Sequence, residues 1–241
     1  MNQIDVDTIP LAPEQCVTGF GTTLIIAPHS DDESLGCGGV ISLLRKYGQT
    51  VYILLLSDGT LSHPNSIEYP ADKLRDLREN ELLNAAEILG VPAENIIFCR
   101  YTDRSVPSVH HGEFEGAVEN ISKMIAMLQP QSIFVPWRRD PHPDHQAAFH
   151  LIDAAETSNA KIYEYPIWLK ELGQDGDEPF AEESMPFRLN ISSVLHQKQQ
   201  AISQHRSQIT NLISDDPEGF KLSKEMLNEF TVPYETFFIS K

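Results

Sequence analysis

Short apolar runs alternate with longer amphipathic stretches along most of this sequence, and this alternation restricts the fold more than any other feature. Residues 22–29 and 50–59 have the length and composition of buried strands, whereas residues 71–90 repeat leucine and alanine at helical spacing. Strands that alternate with helices are typical of a parallel sheet covered on both faces. The sequence therefore predicts an α/β protein with a three-layer Rossmann-like fold, a mostly parallel sheet, helices on both faces and a smaller C-terminal extension.

The same alternation continues to residue 168 and then weakens. Before that point, further strands are predicted at 95–101, 132–137 and 161–168, and further helices at 35–48, 113–130 and 146–158. The first twenty residues read as an extended lead-in, and the C-terminal third as a strand (187–192), a helix (194–213) and an edge strand (234–240). Because no linker-like composition divides the chain, residues 1–241 are predicted to form a single domain.

The chain is strongly acidic. Its 35 Asp and Glu residues outnumber its 18 Lys and Arg residues, and the formal net charge is −17. Such a surface repels nucleic acid and anionic membrane headgroups. The sequence contains no apolar run of membrane-span length, no signal-peptide pattern and no cysteine spacing typical of a disulfide framework. We therefore expect a cytoplasmic protein with a small-molecule partner and no integral membrane segment, and the sequence leaves a homo-oligomer open.

Two polar clusters follow directly on predicted buried strands. One is PHSDDE at residues 28–33, and the other is RRDPHPDH at residues 138–145. In a doubly wound sheet, the first and fourth of these strands become neighbours, and ligands bind in the crevice at their carboxyl ends. We therefore expect the two clusters to face each other, although more than a hundred residues separate them in sequence.

Imidazole and carboxylate groups in this arrangement suit a catalytic zinc ion. His29 and Asp32 are three residues apart, and His145 is a candidate third ligand. That assignment makes Asp31 a candidate general base, and His142 a candidate acid or oxyanion stabiliser that Asp144 orients. Fe²⁺ or another divalent ion fits the same ligands. The competing interpretation is that Asp31 and Asp32 only cap the following helix, while HPDH is a solvated loop.

The two clusters resemble the paired motifs of the PIG-L/LmbE-like de-N-acetylases. The matching segments are APHSDDESLGCGG and RRDPHPDH, together with SDGT, LRDLRENELLNAAEILGV and RYTDRSVP. The resemblance implies removal of an acetyl group from an N-acetylglucosamine-type substrate. It also implies one Zn²⁺ per chain bound by His29, Asp32 and His145. Asp31 is then the general base, and His142, oriented by Asp144, stabilises the oxyanion.

The resemblance also implies substrate contacts from Arg78 and Asp103. A salt bridge on the helix surface is the competing interpretation for Arg78, and a turn-forming role competes for Asp103. Ser30 departs from the family pattern, which has proline at this position, and we expect a small effect because the position supplies no ligand.

Several alternatives to an amino-sugar deacetylase stay open. The same site would suit a zinc amidohydrolase acting on a non-sugar N-acyl metabolite. A non-catalytic sugar- or nucleotide-binding module is less favoured because the first strand-to-helix turn lacks GxGxxG. A two-metal phosphoesterase would need more Asp-rich motifs than this chain has. Lys198, His205 and Gln208 are possible pocket residues, and a solvated helix face explains them equally well.

Overall fold

The computed structural model describes residues 4–157 and 160–241, in which eight strands form one mixed sheet and eight α-helices pack around it. The strands are β1 (Leu11–Ala12), β2 (Thr23–Ala27), β3 (Val51–Ser57), β4 (Ile96–Tyr101), β5 (Ser132–Pro136), β6 (Lys161–Tyr165), β7 (Ser184–Asn190) and β8 (Tyr234–Ser240). The helices are α1 (Asp32–Lys46), α2 (Ala71–Ile88), α3 (Phe114–Leu128), α4 (Pro143–Ala154), α5 (Leu169–Leu172), α6 (Leu195–Ile202), α7 (Arg206–Ile209) and α8 (Lys224–Phe230). Across the described ranges, none of these helices has both the length and the apolar character needed to cross a membrane.

The strand order is β1-β7-β8-β6-β5-β2-β3-β4. The chain runs from β2 outward to β4 and then returns to place β5 on the other side of β2. All five strands from β2 to β6 are parallel. The predicted α/β fold and the predicted pairing of the first and fourth core strands are therefore confirmed, and the reversal of strand order lies between β2 and β5.

Side chains of β2 alternate between two apolar clusters, one on each face of the sheet. Ile25 and Ala27 pack with residues of α1, α2 and α6, whereas Leu24 and Ile26 pack with residues of α3 and α4. Because β2 is buried on both faces, its sequence is continuously apolar and does not alternate with polar residues. This central strand holds the residues that follow it at a fixed position at the edge of the sheet.

Four sequence predictions differ from the structure in detail. The predicted edge strand is the interior strand β8, which pairs antiparallel with both β6 and β7. The predicted helix at 194–213 is interrupted between α6 and α7, where His205 leaves helical geometry. The extended lead-in contains two 3₁₀ turns and β1. Finally, α4 begins at Pro143 because proline is well suited to the first helical position, and the predicted end of that helix at residue 158 lies outside the described residues.

Helix α1 packs closely on the sheet at Gly36. A Cβ atom at this position would lie 2.3 Å from a ring carbon of Tyr165, whose hydroxyl donates a hydrogen bond to Ile26 O at 2.6 Å. We expect Gly36→Ala to lower the free energy of unfolding by about 1–3 kcal/mol, because the fully buried ring must move. Gly116→Ala in α3 is the matched control, since nothing lies within 4 Å of its Cβ. Denaturant unfolding of both variants tests this, and equal stabilities would contradict it.

Candidate metal and active site

The carboxyl ends of the central strands bring the two polar clusters together. His29 and Asp32 lie where β2 leads into α1, and Asp103 follows β4. His142 and His145 lie where β5 leads into α4. A cavity of about 230 Å³ opens at this edge of the sheet, and four of these five residues, all except His145, line it.

Three imidazole rings and one carboxylate meet beside this cavity. Nitrogen atoms of His29, His142 and His145 lie within 4.8 Å of one another. Asp32 Oδ2 lies 3.3 Å from His29 Nδ1 and 3.2 Å from His145 Nε2. Histidine nitrogen and carboxylate oxygen donors of this kind suit zinc or iron. The structure therefore brings the predicted ligands His29, Asp32 and His145 together at a candidate metal site.

The surroundings of His145 fit a metal ligand. Its side chain is fully buried, and neither ring nitrogen makes a hydrogen bond of good geometry with the described residues. Asp140 Oδ1 lies 3.0 Å from Nδ1, and a carboxylate there favours a proton on Nδ1 while leaving the Nε2 lone pair available. Burial lowers the pKa of His145, but Asp32 and Asp140 outweigh burial and raise it to about 9. Binding of a metal ion would displace the proton from Nε2.

The carboxylate of Asp144 contacts groups other than the predicted one. Its Oδ2 accepts a hydrogen bond from Arg104 N at 2.7 Å, and its Oδ1 accepts from Val106 N at 3.2 Å. Oδ2 also lies 3.1 Å from His29 Nε2. In the described contacts Asp144 meets His142 only through its backbone N–H, because the loop after β4 and the His29 ring occupy the carboxylate. Asp144 therefore supports His29, and the carboxylate does not orient His142.

Asp103 lies on the same edge of the His29 ring. Its Oδ1 is 3.4 Å from His29 Nε2, and its Oδ2 accepts a hydrogen bond from Leu61 N at 3.1 Å. Burial would raise the pKa of Asp103, but His29 and Arg78 outweigh it and lower the pKa well below the usual range. With carboxylates at Nε2 and Asp32 at Nδ1, the His29 ring is held from both sides. This favours a proton on Nε2 and frees Nδ1 for a metal.

Asp31 lies beside the ligands without acting as a helix cap. It occupies the N-cap position of α1 but makes no side-chain cap hydrogen bond, so the capping interpretation does not hold for this residue. Its φ of 147° is rare for a non-glycine residue, and such strain costs on the order of 1–3 kcal/mol. Burial raises the pKa of Asp31 to about 7, although the positive charge of Arg78 acts in the opposite direction. A carboxyl group with this pKa is suited to take up a proton near neutral pH.

A buried ion pair holds the backbone of Asp31 in this conformation. Glu33 Oε2 accepts a hydrogen bond from Asp31 N at 3.0 Å, and Glu33 Oε1 lies 3.0 Å from His205 Nε2. Both side chains of the pair are at most 1% exposed. Burial lowers the pKa of His205, but the negative charge of Glu33 outweighs it and raises the pKa above its usual value. The C-terminal part of the chain thus supports the strained turn after β2.

Removal of the Glu33 carboxylate should measure this support. We expect Glu33→Ala to lower the free energy of unfolding by about 3–5 kcal/mol, because the charge of the buried His205 would be left without the carboxylate that balances it. Glu33→Gln keeps an acceptor for Asp31 N and should recover part of the loss. Denaturant unfolding followed by circular dichroism compares the two variants. If Glu33→Ala unfolded at the same denaturant concentration as the parent, the support would be disproved.

His142 is the N-cap residue of α4. Its Nδ1 accepts a hydrogen bond from Asp144 N at 3.2 Å, so the neutral ring carries its proton on Nε2. Burial, and to a smaller extent the positive charges of His29 and His145, lowers the pKa of His142 to about 4. The cavity is therefore lined by a neutral imidazole with an N–H group that can donate a hydrogen bond.

Arg78 turns inward from α2 toward the cavity. It is only 3% exposed, and its guanidinium donates to Gly59 O at 3.1 Å and to Ser30 O at 3.0 Å. Its Nη2 lies 3.9 Å from Asp31 Oδ2. A Cβ at Gly59, where φ is +64°, would lie 2.5 Å from Nη1, so glycine is required there. Among the residues that the structure describes, Arg78 makes no salt bridge on the helix surface, and that interpretation is wrong.

The side chain of Ser30, the residue that departs from the family pattern, makes one hydrogen bond to another element. Its hydroxyl donates a hydrogen bond to Arg78 O at 2.8 Å. This contact ties the turn after β2 to α2 and supplies nothing to the ligand set.

The sequence patterns did not identify every residue that supports the site. Asp140 and Glu33 both lie within the two polar clusters, but nothing in the sequence indicates that they contact His145 and Asp31. Among the three C-terminal residues that sequence left unassigned, Gln208 lines the cavity. His205 pairs with Glu33, and Lys198 pairs with the buried Glu235 at 2.7 Å.

Known proteins with similar sequences or structures include enzymes of more than one kind. A probable N-acetyl-alpha-D-glucosaminyl L-malate deacetylase 2 from Bacillus cereus is 26% identical over 199 residues, covering 80% of this chain and 86% of that protein. The 4-oxalmesaconate hydratase from Pseudomonas putida is 26% identical over 139 residues, covering 56% of this chain and 51% of that protein. The solved structure of N,N'-diacetylchitobiose deacetylase from Pyrococcus horikoshii, bound to its inhibitor, is similar in fold. It has a TM-score of 0.65 and 22% identity, with 90% of this chain and 83% of that chain covered.

The family assignment comes from the region that builds the site. Residues 24–156 match the model of the PIG-L family, described as GlcNAc-PI de-N-acetylase, and this range is more than half of the chain. It begins within β2 and ends just after α4, so it includes both polar clusters. The resemblance seen in the sequence motifs is thereby confirmed, and the chain belongs to the PIG-L family.

Proposed function

We propose that this protein is a metal-dependent hydrolase that removes an N-acyl group, acetyl in the simplest case, from an N-acetylglucosamine-type amino sugar. The observation that carries the proposal is the buried carboxyl group of Asp31, which lines one cavity together with the proposed ligands His29 and Asp32. The third proposed ligand, His145, lies 3.2 Å from Asp32 behind the cavity wall. Membership of the PIG-L family supports an amide bond as the bond that is broken.

We assign His29, Asp32 and His145 as the ligands of one Zn²⁺ per chain, with Fe²⁺ or another divalent ion as the alternative. The orphaned Nε2 of His145, with Asp140 behind Nδ1, supports this assignment. When bound, the metal would supply Lewis acidity to the acyl oxygen and to water.

The side chains of the protein itself perform the proton transfers. Asp31 accepts a proton from the attacking water as a bond forms between the water oxygen and the acyl carbon. The His142 Nε2–H donates a hydrogen bond to the acyl oxygen as negative charge develops there. The C–N bond then breaks, and the proton taken by Asp31 passes to the amine nitrogen. Carboxylic acid and free amine are the products, so atoms and charges balance.

Arg78 and Asp103 are proposed to contact the sugar. Both line the cavity, and Arg78 Nε is buried without a partner in the described part of the chain. A small polar substrate is consistent with a cavity of about 230 Å³. We extend the proposal to a cytoplasmic location without a nucleic-acid partner, on the grounds of the acidic composition and the free cysteines.

A hydratase is the second candidate, because the Pseudomonas relative carries that name. Addition of water to a carbon–carbon double bond also needs a base and an activated water. A non-sugar N-acyl substrate is the third candidate, because the metal and base do not by themselves select a sugar. All three candidates predict a bound metal, so the substrate must decide between them.

The deciding experiment measures acetate release and metal content together. Zinc-loaded protein is incubated with N-acetylglucosamine derivatives, with acyl amino acids and with an unsaturated dicarboxylate. Chelator-sensitive acetate release from the sugars alone would support the proposal. Acetate from acyl amino acids alone would favour the non-sugar amidohydrolase, and hydration of the dicarboxylate alone would favour the hydratase.

A further inference from the structure

Gln208 is a buried polar residue of the cavity with no role in the proposed hydrolysis. It lies in α7, beyond the range that the family model matches. Its side chain is fully buried, and it lines the same cavity as Asp31 and Arg78.

The hydrogen bonds around Gln208 fix the orientation of its amide. Glu81 Oε1 accepts from Ser207 N at 2.8 Å, and Glu81 Oε2 accepts from the Ser207 hydroxyl at 2.6 Å. Because the hydroxyl has only one proton and donates it to Glu81, its oxygen must accept from any further partner. That partner is Gln208 Nε2, at 2.9 Å. The NH₂ group of the amide is therefore held toward Ser207, and the reversed orientation would place two acceptors in contact.

The amide oxygen is left without a hydrogen bond. Across residues 4–157 and 160–241, Gln208 Oε1 has no donor partner, although it is buried. A buried acceptor without a donor is costly, and in native proteins such groups are uncommon away from functional sites. Since an amide oxygen can only accept, it is suited to an O–H or N–H group of a ligand. It disfavours a carboxylate or phosphate oxygen at the same point.

We propose that Gln208 is a substrate-binding residue whose Oε1 accepts a hydrogen bond from the amino sugar. The donor is either a ring hydroxyl or the N–H of the acylamino group, since both present the same chemistry to an acceptor. This assignment rests on the proposed function and deepens it. On this assignment, the C-terminal segment, which the family model leaves unmatched, helps to determine which sugar is deacylated.

The test compares the affinities of substrate analogues for protein with Gln208 and for protein in which Gln208 is replaced. The probes are the methyl glycoside of N-acetylglucosamine, its 3-, 4- and 6-deoxy analogues, and the analogue with the acylamino N–H replaced by oxygen. The variants are Gln208→Met, which keeps the length of the side chain without the acceptor, and Gln200→Met, an exposed glutamine in α6 as control. Turnover is measured with zinc-loaded protein. Binding of the unhydrolysed probes is measured by calorimetry in zinc-loaded Asp31→Asn protein.

In the Asp31→Asn protein with Gln208 intact, we expect one analogue to bind about tenfold more weakly than the unmodified sugar, the size of one neutral hydrogen bond. Gln208→Met should bind the parent sugar about as weakly and should no longer distinguish it from that analogue. Gln200→Met should keep the discrimination. A deoxy analogue in this role identifies a ring hydroxyl, and the oxygen analogue identifies the amide N–H.

Equal affinity of the Asp31→Asn protein for all five probes would overturn the assignment without relying on any substitution at Gln208. Discrimination that survived in Gln208→Met would also overturn it. If the sugars are hydrolysed but Gln208→Met discriminates normally, only this inference fails. If no sugar is hydrolysed, yet binding shows the expected Gln208 effect, the inference stands and the deacetylase proposal fails. Absence of both hydrolysis and binding would overturn both.

Discussion

Asp31→Asn should reduce kcat by about 10²–10⁴-fold while the protein still binds metal, because an amide cannot take the proton from water. The substitution preserves the size of the side chain and leaves His29, Asp32 and His145 intact. The metal content per chain should therefore match that of the parent protein. KM should change little, because Asp31 acts on water more than on the ground-state substrate.

The measurement combines acetate release with elemental analysis of the same sample. Asp153→Asn, an exposed aspartate in α4, serves as the control for the chemical change. A decrease in kcat of less than about tenfold would contradict the assignment of Asp31 as the base. A large decrease accompanied by loss of metal would show that Asp31 is needed for the site itself, and the base assignment would then fail too.

His145→Ala should abolish both metal binding and acetate release. The substitution removes one of three proposed ligands and leaves the carboxylates of Asp32 and Asp140 without the imidazole between them. We expect metal content to fall from about one ion per chain to well below that value at equal zinc concentration. Retention of stoichiometric, tightly bound zinc would disprove the ligand assignment.

Substitution of Asp140, whose carboxylate lies beside His145 Nδ1, should weaken metal binding without abolishing it. Asp140→Asn should weaken metal affinity by about 10–100-fold, because the amide holds the ring less firmly and no longer favours a proton on Nδ1. His196→Ala, in which an exposed histidine of α6 is removed, is the control for loss of an imidazole. Competition with a metal-binding dye gives the affinities. Identical affinities for Asp140→Asn and the parent would show that Asp140 does not support the ligand.

The sequence was informative about the site where chain order fixes geometry. Once β2 and β5 were predicted as the first and fourth strands of a doubly wound sheet, their carboxyl ends had to be adjacent. The groups that follow these strands, such as His29 and His145, therefore had to approach each other. Periodicity located the strands, and the doubly wound topology made the first and fourth neighbours, so the prediction did not depend on side-chain packing.

The sequence could not predict contacts that depend on tertiary packing. Asp144 could be placed near the site, but whether its carboxylate faces His142 or His29 depends on the course of the loop after β4. No glycine or proline lies at the interruption between α6 and α7, so the sequence contains no helix-breaking residue that predicts it. It exists because His205 reaches Glu33 across the molecule, a contact separated by 172 residues. Local propensity carries no signal for such a partner.

The interior position of β8 has a consequence for the way in which the chain folds. Strand β7, and β1 with it, joins the sheet through β8, which is the last strand in sequence order. During synthesis, β6 must therefore present an unpaired edge until the residues of β8 have left the ribosome. The parallel strands β2 to β6 can pair early, whereas β7 and β1 cannot join the sheet until β8 has paired with β6. Non-local pairing of this kind is slow, and the exposed edge of β6 makes the nascent chain most prone to edge-to-edge association before β8 pairs with it.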